Sequence, residues 1–494
     1  VSVSAGLFTV SLDFGGDAFD GDARWLGIRV KCGGDATYAD LGRQALTAAP
    51  YALYARSTGA LQGQPVAAAL PALNQVLKWD GSAWTPSADE SGAGGGNWSL
   101  TGNSATVPGT HFVGTTDGVS LTLAVSGTAA LRLEPNGTSP NLVGGHSSNQ
   151  AAGVVGATVG GGGTGDAPNQ VTAGFGTVGG GQDNTAGGIV ATVSGGRNNL
   201  ADGMFTTVSG GWNNTAGKSR TTVSGGASNT ASGEGATVGG GATNVVTATF
   251  ATVAGGEHIS VTGDYAAVAG GSWITVTGDY AAVGGGYSNA ASGSYATIGG
   301  GYDNTVSYDC ATIGGGDSNT ANGYYVTVGG GYDNMASYDY ATIGGGDSNT
   351  ASDSYATVGG GYGNTASNND ATVSGGYGNT ASRYDATVGG GYSNTASGDY
   401  ATVPGGYANT ASSDSSFAAG RYARADDAGA FVWADSTYAN VFSPGADTFS
   451  VQASGGVWFG TDNSPSIPAG SFINTSTGEP FEGDPRRVLK NALD

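Results

Sequence analysis

The sequence predicts an all-β protein whose main body is a β-solenoid of fifteen-residue coils, and three observations carry that reading. First, the unit ATVGGGYSNTASGDY at residues 386–400 recurs sixteen times without a gap from Gly176 through Ser415, led in by longer variants at 141–156 and 157–175. Self-similarity at a short fixed period marks a solenoid, in which each copy buries its apolar side only against its neighbours. Second, the third position is always Val or Ile (Val178, Val283, Ile298, Val403) and the eleventh always Ala or Val (Ala186, Val246, Val306, Ala411). Third, positions five and six are Gly in all sixteen copies, such as Gly300 and Gly301, which marks a turn needing positive φ or close backbone approach.

Each element of the coil follows from these positions. Ala-Thr-Val/Ile alternates as a short strand with Thr outward, and Asn-Thr-Ala-Ser reads as a second strand, so two strands and two turns close one coil. Helix is disfavoured because each Gly costs roughly 1 kcal/mol relative to Ala. Position nine is Asn in fourteen copies, among them Asn289, Asn304, Asn319, Asn334, Asn349, Asn364, Asn379 and Asn394. Stacked between coils, these amides can hydrogen-bond along the axis as in cross-β ladders. The exceptions, Ile259 and Ile274, fall in adjacent copies, as a contact between coils requires.

Composition narrows the function. Gly makes up 95 of 494 residues and only 11% are charged, against an average near 25%. The strict Val/Ile register argues against disorder. With 16 Lys+Arg against 38 Asp+Glu, the formal charge is −22, which disfavours nucleic acid and anionic membrane as partners. Cys32 and Cys310 lie far apart in sequence and form no disulfide framework or metal-ligand pattern. No stretch approaches the ~20 apolar residues of a membrane helix, and the start lacks a signal-peptide pattern, so a processed or incomplete piece of a longer precursor is the expectation.

Taken in order, residues 1–48 alternate around Phe8, Val10, Leu12 and Phe14 and again around Trp25, Leu26, Ile28 and Val30, predicting a small antiparallel β domain. Residues 49–96 hold a short helix or coiled segment beginning near Pro50, a hairpin turning at Asp80-Gly81 between Trp79 and Trp84, and a Gly-rich joint. Residues 97–140 predict a β module that caps the solenoid's start, since terminal coils present open edges. Residues 141–415 form the shaft, about 17 to 18 coils and on the order of 80 Å long at roughly 4.8 Å per coil. Residues 416–494, with Phe431, Trp433, Phe442, Phe449, Trp458 and Phe459, predict a C-terminal β cap and a polar tail.

Ala296, Ile298 and Gly299, then Asn304 and Val306, stand where the head repeats of trimeric autotransporter adhesins place their small and apolar residues, and residues 141–415 resemble those YadA-like heads. The resemblance implies a left-handed parallel β-roll, three of which pack into a homotrimer. The family's neck motif and membrane barrel are not found here. The flanks GLFTVSLDFG, RWLGIRV, LTAAPYALYA and FVWADS are instead similar to uncharacterised bacterial secreted repeat proteins, in which a tail-fibre-type chaperone domain follows and can cut itself off. A core of only Ala, Val and Gly also buries little against the entropy of ordering Gly-rich backbone, so association is expected to supply the missing burial.

The candidate binding surface is a set of tyrosines: Tyr287, Tyr302, Tyr332, Tyr362, Tyr377, Tyr392 and Tyr407 at position seven, with Tyr265, Tyr280, Tyr295, Tyr325, Tyr340, Tyr355 and Tyr400 at position fifteen. Rings with polar tips can grip glycans or proteins, and the plainer reading is that they cover turns or fill a trimer seam. Asp183, Asp303 and Asp333 at position eight and Asp264, Asp279, Asp309, Asp339 and Asp399 at position fourteen raise a calcium ladder, but Ser, Gly or Asn often replaces them, so solvated surface is the better reading and no cofactor is assigned. His111, His146 and His258 are scattered, and Glu234 and Glu257 are the only glutamates of the repeats, so no catalytic residues are assigned. One Thr per coil at position two makes a poor ice-binding rank. The expectation is a non-enzymatic, secreted bacterial fibre at the cell surface or in a matrix, with itself and surface glycans or proteins as partners. The rival is a phage or injection-system tail fibre that binds or cleaves glycans.

Overall fold

In a computed structural model, described residues are 10–13, 23–45, 60–88 apart from 62, 71 and 74, 107, 110, and 112–454 apart from 152. Among them every regular element is a strand. The expected helix near Pro50, the Gly-rich joint, the tail with Trp458 and Phe459, and Phe8 and Phe14 of the first expected strand lie outside the described residues, and Val10 and Leu12 of that strand are described but stand in no strand. The chain divides into two compact units, residues 1–113 and 114–494.

In the first unit, Trp25–Val30 pairs antiparallel with Ala39–Ala45, and Gln75–Trp79 with Trp84–Ala88. The turn of the second hairpin is longer than the Asp80-Gly81 dipeptide: Asp80 to Ala83 are all outside the strands, because the Asp80 carboxylate accepts the Ser82 and Ala83 amides, each at 2.8 Å. Those hydrogen bonds, the one from Ala83 foremost, hold the Asp80 carboxyl below its ordinary range.

The second unit is a β-solenoid whose coils climb by fifteen residues. Strands such as Thr342–Ile343 and Thr357–Val358 pair in parallel in one ladder, and Thr350–Ala351 and Thr365–Ala366 in a second ladder of 19 strands. A third column, beyond the two strands read from the pattern, consists of single parallel bridges at position seven, such as Tyr362 with Tyr377 and Tyr377 with Tyr392.

The coil starting at Ala341 shows where its backbone groups go. The amides of Thr342, Gly344, Asp347, Thr350 and Ser352 donate to carbonyls of the following coil, and those of Ser348 and Tyr355 donate to the preceding one, all at 2.8 to 3.0 Å. The two backward bonds come from residues with left-handed backbone, Ser348 at φ 57° and Tyr355 at φ 60°. Positions eight and fifteen repeat this conformation with non-Gly residues in nearly every coil. Such a backbone costs an L-residue roughly 1–2 kcal/mol. The bond to the neighbouring coil offsets it.

Positions one, three, nine and eleven point inward, as at Ala341, Ile343, Asn349 and Ala351, each fully buried. The asparagines form an internal column, unbroken from Asn289 to Asn409. The Asn349 amide nitrogen donates to the carbonyls of Gly345 and Gly361, each at 3.0 Å, and its oxygen accepts the backbone N–H of Asn364 at 3.0 Å. Where Ile259 and Ile274 interrupt the column, both are fully buried, and each Cδ1 lies under the position-six Gly of its own coil in place of the amide.

That position-six Gly is fixed by geometry twice over. Gly331 has φ +100°, and a Cβ there would overlap the Gly346 carbonyl oxygen and lie 2.7 Å from Asn334 Nδ2. At its start the first ladder continues from Asn141–Gly144 into the antiparallel strands Thr128–Glu134 and Leu121–Val125. At the far end, rather than breaking at Ser415, both ladders run on: Phe417–Arg421, Phe431–Ala434 and Phe449–Gln452 pair in parallel, as do Ala423–Ala425 and Val441–Phe442. Stacked Phe417, Phe431 and Phe449, at 4.6 and 4.7 Å, take over the position of the Thr column.

Replacing Gly331 by Ala is expected to cost about 3 kcal/mol or more, through strain and the broken contact between coils. Thermal melting followed by circular dichroism checks it.

Candidate binding surface

The outward residues sort by position. Thr at positions two and ten faces out from the two strands, while the tyrosines stand on the two turns. The seven position-seven tyrosines are 38–52% exposed, so their tips reach solvent from this chain. They do not form one row. Tyr287 and Tyr302 stack at 5.3 Å, Tyr332 stands alone between Asp317 and Asp347, and Tyr362, Tyr377, Tyr392 and Tyr407 form an unbroken row at 5.0, 4.8 and 5.0 Å.

Position fifteen carries a second set. Phe250, Tyr265, Tyr280 and Tyr295 stack at 5.5, 4.9 and 5.0 Å, and Tyr325, Tyr340 and Tyr355 at 5.1 and 5.0 Å, with Cys310 between the two runs. Tyr400 instead meets Tyr384 edge-on at 5.6 Å. Parallel rings at such distances cannot lie side by side in one plane; they stack, offset or face to face. The columns therefore present ring edges and hydroxyls to solvent, and their faces mostly to one another.

Stacking has an electrostatic consequence. Reduced hydration raises the Tyr280 phenol above its ordinary value of 10.0, and Tyr265, Tyr295 and the carboxylates of Asp279 and Asp264 push the same way. The Cys310 thiol does so for Tyr325, and a hydrogen bond with Tyr422 for Tyr407.

Of the five position-fourteen aspartates named above, four are tied to backbone through their carboxylates. Asp264 accepts the Thr249 amide at 2.7 Å, Asp279 the Asp264 amide at 2.8 Å, Asp309 the Ser294 amide at 2.8 Å and Asp339 the Tyr324 amide at 3.0 Å. Each carboxylate thus pins its turn to the preceding coil. Among the described residues no group of three or more His, Cys, Asp or Glu is placed to hold a metal ion. Of the expected site residues, the asparagines of position nine are internal and unavailable to any partner.

Two features escaped the sequence pattern. His258 stacks on Trp273 at 4.3 Å, both at position eight of neighbouring coils. The row ending at Tyr407 is closed by Arg421, whose guanidinium lies 3.3 Å from the Tyr438 ring centroid and within 5.6 Å of Tyr407 and Tyr422. The first has a signal in sequence, two rings fifteen residues apart; Arg421 stands off that period from both Tyr407 and Tyr438 and has none.

No protein-family model matches this chain, and no curated protein matches it in sequence.

Because the fold favours the neutral phenols of Tyr280, Tyr325, Tyr384 and Tyr407, their contribution to stability is complete below pH 10 and is lost as pH rises through their raised values. Ultraviolet titration of the phenolates is expected to show a fraction ionising above the ordinary tyrosine range, and Tyr280→Phe to shrink it.

Proposed function

We propose that this chain is a non-enzymatic, secreted bacterial fibre, a homotrimer of β-rolls that projects repeated surfaces for attachment or matrix assembly. The observation that carries the reading is the distribution of charge on the solenoid. In the sixteen regular coils the outward positions of the first strand, two and four, hold no ionisable side chain, and those of the second, ten and twelve, hold only Asp202. The chain as a whole carries a net −22, and in these coils its charge sits on the turns. Long strand faces with a single charge, Asp202, can be covered by further copies almost without burying unpaired ions, and acidic edges keep such an assembly soluble.

The trimer number and a left-handed roll rest on the resemblance to YadA-like heads. The antiparallel strands before Asn141 and the long aromatic strands after Phe417 act in this reading as caps that keep the end coils from pairing with other chains. Many identical weak sites on one rod raise avidity above any single contact. The carboxylates at position fourteen serve the turns, and no catalytic step is part of the proposal.

Light scattering coupled to size exclusion checks the assembly. The expected mass is three times the 48.1 kDa of one chain, unchanged by chelator. A monomer overturns the trimer, and a mass that falls with chelator replaces side-by-side packing by metal-linked assembly.

A further inference from the structure

We propose that the row Tyr362, Tyr377, Tyr392 and Tyr407, with the open turn beside it, binds a neutral, extended β-1,4-linked polysaccharide lying parallel to the solenoid axis. The inference names a ligand class for the adhesive part of the fibre reading and rests on that part, not on the trimer.

Space is the first observation. Position eight, next to each ring, is left-handed throughout, yet other coils fill it with Asp303, Asn213, His258 or Trp273 at φ 53–59°. The backbone therefore does not demand Gly there. Beside this row the residues are Gly363, Gly378, Ser393 and Ala408. A Cβ on Gly363 would meet nothing within 4 Å, and one on Gly378 would meet only Ser393 Oγ at 3.7 Å. The small residues leave a clear floor along the foot of the tyrosine wall.

Charge is the second. Positions five to eight of these four coils read GGYG, GGYG, GGYS and GGYA, without an ionisable group apart from the phenols. Between Asp347, beside Tyr362, and Arg421, beside Tyr407, the strip itself is neutral, and on a strongly acidic chain it suits a neutral ligand.

Period is the third. The rings repeat every 4.8 to 5.0 Å, and a β-1,4-linked glycan advances by close to the same distance per sugar; successive sugars are turned over, but each carries hydroxyls on both edges, so each can place one against a phenol. An extended peptide repeats its side chains every ~6.6 Å on one face and loses register within two rings. A polyproline helix, at about 9 Å per turn, meets only every second ring. Since the ring faces are covered by stacking, the contact uses ring edges and hydroxyls, with the sugar C–H groups on the glycine floor.

Calorimetric titration of the full chain with cello-oligosaccharides tests this. Affinity is expected to rise about tenfold or more from two sugars to four and to change little beyond, because the row has four rungs. The double variant Gly363→Asn/Gly378→Asn installs the pair that the fold already accepts in adjacent coils at Asn198 and Asn213. It is expected to melt like the parent and to bind cellohexaose about tenfold or more weakly. A Tyr377→Phe/Tyr392→Phe variant, which removes only hydroxyls, is expected to weaken binding as well. Absence of binding by cellohexaose, equal binding by the glycine variant, or equal binding of a proline-rich peptide overturns the proposal. Absent binding with the trimer intact overturns the ligand and leaves the fibre; binding by a monomer keeps the wall and overturns the trimer.

Discussion

Everything in the solenoid depends on one constraint: a fifteen-residue coil can satisfy only a few of its polar groups itself, so most must be met by a neighbouring coil. The internal asparagine column is where this is most demanding. A buried amide left without partners costs about 1–3 kcal/mol, yet Asn334, Asn349 and Asn364 sit fully buried because the coils on either side supply donors and acceptors. The interaction also sets register. A slip of one residue in any coil removes the Gly carbonyls and the backbone amide that the asparagine needs.

From that constraint follow the less expected features of the backbone. The position-six Gly, such as Gly331, is obligatory because its place under the next coil has no room for a Cβ. The left-handed residues at positions eight and fifteen are accepted in spite of their side chains because they turn an N–H towards the coil behind. Those same residues carry the exposed chemistry. Tyr340 and Tyr355 stack because their backbones are locked at the same φ one coil apart, and the aspartates of position fourteen bind the turn beside them. Interior bonding thus dictates which side chains stand in rows on the edge.

Much of the fold was legible because its rules act at fixed sequence distance. Val178 to Val403 at position three, Ala or Val at position eleven, and the joint change to Ile259 and Ile274 all report contacts between coils directly. The third column was not legible, since position seven varies from Gln182 to Tyr407 and only its backbone pairs. Left-handed tyrosines were missed for a related reason: Gly is the usual marker of that conformation, and Tyr355 hides it. The change of pattern after Ser415 pointed to a C-terminal β cap but not to how it is joined: the described strands from Phe417 keep pairing in parallel, with Phe417, Phe431 and Phe449 stacked. For the candidate surface, sequence located the rings; it could not tell that stacking covers their faces, or that Gly363 and Gly378 leave room beside one row only of that length.

The most direct test of the account is amide hydrogen exchange in an Asn349→Ala variant. Its Oδ1 accepts the Asn364 N–H, so removing it should speed exchange at Asn364 about tenfold or more and lower the protection of the adjoining coils, while distant coils keep theirs. Unchanged protection at Asn364, with unchanged melting, would contradict the claim that the buried amide column holds the coils together.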